Sequence, residues 1–362
     1  MPGARYFVSC VLLGASSILA AAPTLSDARL VTDQFQFRLN GEAGQAYIIQ
    51  ASRDLTNWSG VLTNVLEASA GVFSLPATNR SENFRAKVAT PIFNHAVLAQ
   101  YFDPRQYAVV SDSFDSADPR FSTAGQYDPA KRRDGGDIAA YHGLTIKANS
   151  KVAGRIWTSP EADVLLDPLA SVGTLAWVDS GQAGIQPGHW STNFQESWPV
   201  IRPPNGGYVP TAAVVDGEYY DFVFANGDYR SDQLRLTTGK ILVMGKCTLT
   251  VTHLFSPSSN VVIRFQSSDS SLRLYLFTPD AQIGAQMQGV VTADQFIIFG
   301  MATCVSLDVS MPNFTGVIYA PNAVCDLTTS SVVGACTARY LRLNRPVSFH
   351  FDENLKRVGG YY

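Results

Sequence analysis

The sequence predicts an all-β protein, a small antiparallel β-sandwich followed by a right-handed parallel β-helix or solenoid. Three observations lead there. Short runs of β-branched and aliphatic residues recur along most of the 362 residues, separated by Gly, Asn, Ser or Asp. Apolar stripes at helical spacing over about 12 residues or more are missing. Few runs are joined by the Asn-Gly or Asp-Gly pairs that close two-residue hairpins, since Asp216-Gly217 and Asn226-Gly227 lie outside the densest series. Short parallel strands stacked rung on rung, with inward apolar side chains and small or polar corners, account for many strands with few tight turns. The period is loose, roughly 20 residues.

Taken in order, the chain opens with Arg5 and an apolar run, Tyr6 to Ala22, that ends in small residues before Pro23. This is the layout of a signal peptide over residues 1–22. Ser9, Gly14, Ser16 and Ser17 interrupt the run, whereas a membrane span needs about 20 predominantly apolar residues. Cys10 sits at the start of the apolar stretch, which argues against a lipoprotein site. A secreted, periplasmic or cell-surface location is expected, with no transmembrane segment after signal removal. Cys247, Cys304, Cys325 and Cys336 then remain, an even number in a compartment where disulfides persist. Two bridges are open to them in any of three connectivities; the other reading is four small buried apolar side chains. No CxxC or Cys/His spacing suggests zinc, and no metal or cofactor is expected.

Residues 24–88 read as a compact sandwich: FQFRL alternates strictly, AYIIQAS follows, DLTNW turns, and VFSL and NFRAKV complete it. The stretch Gly44, Tyr47, Ile49, Gln50, Ala51, Ser52, Asp54, Leu55, Asn57 and Trp58, then Phe84, Arg85 and Ala86, resembles fibronectin-type-III-like modules of secreted bacterial proteins. In such modules Trp58 belongs to the core.

Residues 89–135 carry Pro91, Pro104, Pro119 and Pro129 among scattered Asp and read as a linker with an irregular lead-in to the next domain. Asp112, Asp115 and Asp118 recur every third residue, unlike the alternating ligands of a calcium loop, and fit a solvated linker. The solenoid is expected over 136–358, where LTIKA, VAGRIW, KILVMG, CTLTV, VVIRF, LRLYLF, FIIFG, VSLDV, GVIYA, AVCDL, YLRL and VSFHF recur. Three stretches, Gly135 to Pro160, Phe314 to Leu327 and Val347 to Leu355, resemble the C-terminal β-helical domain of PilX-type pilus-assembly and related exported bacterial proteins. Ala140, Tyr141, His142 and Phe351 depart from that pattern. The resemblance implies export and a structural or envelope-associated role, and it brings no catalytic residues.

Function is constrained mainly by exclusion. Twenty-seven basic against thirty acidic side chains leave a net charge of -3 without a basic cluster, so nucleic acid is not an expected partner. The G-x-S-x-G, H-E-x-x-H, G-x-x-x-x-G-K-[ST] and strand-linked G-x-G-x-x-G motifs are absent. Two groups of residues remain. Trp157, Trp177, Trp190 and Trp198 cluster around a Gly- and Pro-rich loop, where indoles either stack on sugar rings or bury apolar area against the solenoid's side. His350 and Asp352 share one face of a strand, with Glu353 beside them, and suit the polar cap of a terminal rung better than proton transfer. The expected function is an exported, non-catalytic structural or surface-interaction protein contacting an envelope protein or surface polysaccharide. A carbohydrate-binding module and a β-helix polysaccharide lyase or hydrolase are the rivals.

Overall fold

The computed structural model describes residues 22–32, 34–42, 46–56, 58–66, 68–76, 82–88, 92–195, 198–289 and 292–357. The apolar run before Ala22, Gly44, Asn57 and the final Tyr361-Tyr362 lie outside the described residues. The protein is all-β, and its one α-helix among the described residues is the five-residue turn Leu175–Asp179. Two compact units divide it, one of residues 1–92 with 356–362 and the other of residues 93–355.

The smaller unit holds β1 (Thr24–Val31), β2 (Gln34–Asn40), β3 (Ala46–Ser52), β4 (Ser59–Val65), β5 (Ala70–Pro76) and β6 (Asn83–Val88). They form two antiparallel sheets, β1-β2-β5 and β4-β3-β6. The alternation in FQFRL buries Phe35, Phe37 and Leu39 on one face of β2. Phe35 stacks on Phe84 of β6 with ring centroids 4.7 Å apart, so the two sheets share one core. Trp58 is half-buried rather than central; its indole N–H donates to Leu55 O at 3.0 Å and the Arg85 guanidinium lies 4.1 Å above its ring.

The larger unit begins with β7 (Val97–Asp103) and β8 (Val109–Phe114), inside the segment expected to be a linker. Val97, Leu98, Ala99, Phe102, Val109 and Phe114 are all buried. The prolines in this region mark turns around two real strands: Pro104 follows β7, and Pro119 and Pro129 follow β8. Next come β9 (Ile138–Ile146), β10 (Lys151–Ala153), β11 (Ile156–Thr158), β12 (Asp163–Leu166), β13 (Ser171–Gly173), the helix α1 (Leu175–Asp179), β14 (Gly184–Ile185) and β15 (Trp190–Ser191). After a long loop the chain resumes with β16 (Thr211–Val215), β17 (Glu218–Phe224), β18 (Gly227–Leu236), β19 (Gly239–Val243), β20 (Lys246–Pro257), β21 (Val261–Phe265), β22 (Ser271–Leu276), β23 (Asp280–Ile283) and β24 (Gln286–Gln288). It ends with β25 (Phe296–Gly300), β26 (Ser306–Val309), β27 (Asn313–Leu327), β28 (Ser331–Leu343) and β29 (Val347–Asp352).

Apart from the β16–β17 hairpin, the named strand pairings of this unit are parallel. β20 and β27 are long enough to join two ladders each, and β20, β22, β25, β27, β26 and β23 close into a six-stranded parallel barrel. The stacking order departs from the chain order. The run from β18 passes through β20, β22, β25, β27 and β28, and then continues onto β7, β9, β11 and β15. The unit's first strands therefore lie in the middle of the stack, sealed against its last ones, and β29 likewise pairs with β8.

Register carries one apolar column through this run. Leu249, Leu274, Ile298, Ile318, Cys336, Val97, Ile138 and Ile156 are successive partners, and all are buried. A strand covered on both sides needs such a residue at each inward position, which explains why nearly every run looked alike in the sequence. The column ends at Trp190, partnered by Ile156 and 45% exposed because no named strand covers it on the far side.

Candidate functional site

The four cysteines are free and buried, and no disulfide forms among the described residues, so the two-bridge expectation is corrected. Three occupy inward ladder positions, Cys247 beside Leu272, Cys325 between Leu307 and Leu341, and Cys336 between Ile318 and Val97, and Cys304 is buried in the turn before β26. Burial pushes the thiols of Cys247 and Cys304 up, to about 12 and about 11. A hydrogen bond with Cys336, then burial, raises that of Cys325. Thiols held neutral in this way are poor nucleophiles and serve as small core residues.

The titratable cluster around His350 is real, but it is not a cap and not the pair expected. β29 has β28 on one side and β8 on the other, so it lies within the stack. Register sets His350 opposite Asp112, whose Oδ1 lies 2.6 Å from Nδ1. Tyr127 donates to Asp112 Oδ2 at 2.8 Å and stacks on the imidazole with centroids 3.7 Å apart. Burial, then the Asp112 charge, raises the Tyr127 phenol far above its ordinary range. Arg132 approaches Asp112 at 4.0 Å and pairs with Asp179 at 2.6 Å. Glu353 accepts from Ser113 Oγ at 2.7 Å and pairs with Arg133 at 2.6 Å. Asp352 accepts from the backbone N–H groups of Ser116 and Asn354 at 3.0 and 3.1 Å. Its other oxygen is buried with no hydrogen-bond partner among the described residues, and burial raises its carboxyl to about 6. Asp115 accepts from Ala117 N, and Asp118 holds Arg120. The spaced aspartates are thus turn and seam residues, and no group of three or more His, Cys, Asp or Glu among the described residues is arranged to hold a metal.

Trp157 and Trp198 pack against one cluster of Leu98, Ala139 and Phe194, and Trp190 lies on the strand paired with that of Trp157, whereas Trp177 stands apart. Trp177 sits on α1, its indole nitrogen buried without a hydrogen-bond partner among the described residues. Trp190, at the exposed end of the column, donates to Thr158 Oγ1 at 3.1 Å. Trp198 lines an apolar slot of about 300 Å³ with Ile201, Phe299, Met301 and Tyr319, where Tyr319 OH donates to Pro199 O at 2.7 Å and holds the loop on the barrel. Trp157 is anchored by Asp137, which accepts its N–H at 3.0 Å.

Trp157 belongs to the most site-like feature, a cleft of about 360 Å³ lined by Asn94, His95, Trp157, Asn193, Phe194 and Gln195. Phe194 is buried against Leu98 and Ala139, and its backbone N–H donates to Thr158 O, which pins the loop to β11. His95 meets both Phe194 and Trp157 edge-on, at 5.6 and 6.2 Å. From the cleft the rings continue: Tyr141 lies 6.5 Å from Phe194, His142 4.9 Å from Tyr141, Tyr101 5.3 Å from His142, and Tyr340 5.6 Å from Tyr101. Tyr101 and Tyr141 are 43% and 37% exposed. Sequence reasoning found Trp157 and missed the rest, because Tyr101, His142 and Tyr340 meet only through the pairing of β7 with β9 and β28.

A family model described as a domain of unknown function (DUF7305) matches residues 214–358. No curated protein and no solved structure matches the chain. No helix among the described residues is long and apolar enough to cross a membrane.

Proposed function

We propose that the chain is an exported, non-catalytic surface-contact protein whose larger unit is a right-handed parallel β-helix acting as a rigid scaffold in the cell envelope. The observation that carries this reading is a contrast of surfaces. Seam carboxylates are engaged by named partners, with Asp112 held by His350 and Tyr127 and Glu353 by Arg133 and Ser113. Exposed aromatic rings run across successive strands instead. A proton-transfer site needs titratable groups presented to a substrate and oriented by a partner; of the two clefts beside the long loop, one holds the single histidine His95, edge-on to Phe194 and Trp157, and neither is lined by Asp, Glu, Lys or Arg. The run from β18 to β15 spans on the order of 40 Å at about 4.8 Å per layer, so side chains on neighbouring rungs are held at fixed spacing for a partner to contact.

The test is fractionation of a bacterial host producing the full-length chain, followed by sedimentation of the purified protein with the insoluble envelope fraction. The same protein is assayed for release of reducing ends from neutral and acidic polysaccharides. Export, co-sedimentation and no turnover are expected. Retention in the cytoplasm, failure to sediment, or turnover of any polysaccharide overturns the reading.

A further inference from the structure

We infer that the cleft beside β11, with the ring ledge that leads out of it, is a binding site for a neutral polysaccharide chain. This deepens the surface-contact reading and rests on it. Three features of the site select that ligand. First, the rings alternate in attitude: Tyr101 and Tyr340 lie nearly parallel at 23° and Tyr101 and His142 at 30°, whereas Tyr141, Phe194 and His95 meet their neighbours at 65° to 90°. Tyr101 and Tyr340 thus cover one another's faces, with the Arg342 guanidinium 6.0 Å from the Tyr340 ring, and the ring left for a sugar beside the walled cleft is Tyr141, 37% exposed and edge-on to His142 and Phe194. The C–H groups on one face of a pyranose are apolar and weakly positive, and they settle against the negative face of an aromatic ring.

Second, the polar groups at the cleft are three amides and the His95 imidazole. Asn193 and Gln195 are exposed on the loop, and Asn94 stands at the opposite end of the lining sequence, just before β7. An amide supplies two donors and one acceptor without charge, matching hydroxyls that both donate and accept. Asn193 already accepts from Ser191 Oγ, which orients its amide. Third, no Asp, Glu, Lys or Arg lines the cleft. An acidic polysaccharide or a nucleic acid would lose hydration of its charges with nothing to replace it, so a neutral chain is the ligand the site can compensate.

The experiment is affinity electrophoresis of the full chain through gels containing hydroxyethyl cellulose, galactomannan, arabinoxylan or a soluble starch, with polygalacturonate and alginate as acidic arms. Retardation by at least one neutral polymer and by neither acidic one is expected. Tyr141→Ala and Gln195→Ala, both at exposed positions, should weaken it at least tenfold, and Tyr219→Ala, exposed on β17 away from the ledge, should leave it within twofold. Thermal melts accompany each variant, and Gln195→Ala decides the matter if Tyr141→Ala unfolds. Migration unaffected by every neutral polymer, retardation by the acidic polymers alone, or full retardation of Gln195→Ala overturns the inference. A protein that sediments with envelope yet passes all neutral gels keeps the scaffold reading and loses this one.

Discussion

The seam where β29 meets β8 and the cleft beside β11 are built from opposite materials. The seam gathers Asp112, Tyr127, Arg132, Arg133, His350, Asp352 and Glu353: Asp112 meets His350, Tyr127 and Arg132, Glu353 meets Arg133, and Asp352 takes the Ser116 and Asn354 N–H groups. The cleft gathers rings and amides and turns several of them outward. By composition the seam resembles an active site and the cleft resembles a patch of core. Saturation reverses that ranking. Side chains that satisfy one another hold strands together, and side chains left facing solvent are the ones able to recognise something else. The seam has a reason to be strong. It joins β8 and the turn after it to a strand more than two hundred residues later, an ordering cost that local turns do not meet.

If the seam is a clasp, cutting it should cost stability rather than activity. Asp112→Ala leaves His350, Tyr127 and Arg132 facing an emptied position inside the stack, and a loss of about 3–5 kcal/mol is expected from denaturant unfolding. A loss under about 1 kcal/mol would remove the distinction between the two regions. Asp352 offers a second cut, made by pH. Burial, opposed by the Ser116 and Asn354 N–H groups and assisted by the charge of Asp294, raises its carboxyl from 3.8 to about 6. The folded state therefore holds the proton more tightly than the unfolded chain does. That contribution is complete below about pH 4 and is lost as pH rises through about 6, at most about 3 kcal/mol. Asp352→Asn should remove this slope, so its stability relative to the parent should rise between pH 4 and pH 7. Parallel stability curves for the two proteins across that range would show that Asp352 does not titrate in the seam.

A gentler cut separates the hydrogen bond from the stacking. Tyr127→Phe keeps the ring over His350 and deletes the donor to Asp112 Oδ2. A loss of about 1 kcal/mol is expected in urea unfolding, the net worth of a typical hydrogen bond. No loss at all would mean that the ring alone does the closing.

The strands themselves were legible, since GVIYA, AVCDL and VSFHF have the composition of covered strands and lie in β27 and β29. What could not be read was which strand lies against which. Inward positions on successive rungs are chemically alike, so Cys336 carries no mark that its partner is Val97 and not a residue of the next run in sequence. The same ambiguity hid the site. Asp112 looked like a linker aspartate and His350 like a capping residue until register put them in contact. Tyr101 and His142 share a stack only because β7 pairs with β9. The segment 89–135 hides its strands for a different reason: Pro104, Pro119 and Pro129 and the scattered Asp punctuate it, and VLAQYFD and VVSDSF between them are short and carry polar residues within the run. In the smaller unit sequence neighbours pair as hairpins, as β1–β2 and β3–β4 do, and the alternation in FQFRL sufficed to place the buried face.

The smallest expected effect gives the sharpest comparison. Gln195 is exposed on the loop beside the cleft, and Tyr141 stands more than a third exposed on β9. Among the described residues neither takes part in a side-chain hydrogen bond that ties one strand to another, as the Tyr127 and His350 bonds to Asp112 do. Replacing Gln195 by Ala should therefore move the unfolding midpoint by no more than about 0.5 kcal/mol, the range of surface substitutions away from special features. Tyr141→Ala should lose little beyond its edge contacts with His142 and Phe194, about 1 kcal/mol. If Gln195→Ala instead destabilises as strongly as Tyr127→Phe, the loop is part of the scaffold's fastening. Exposure would then have ceased to distinguish a recognition surface from a clasp in this molecule.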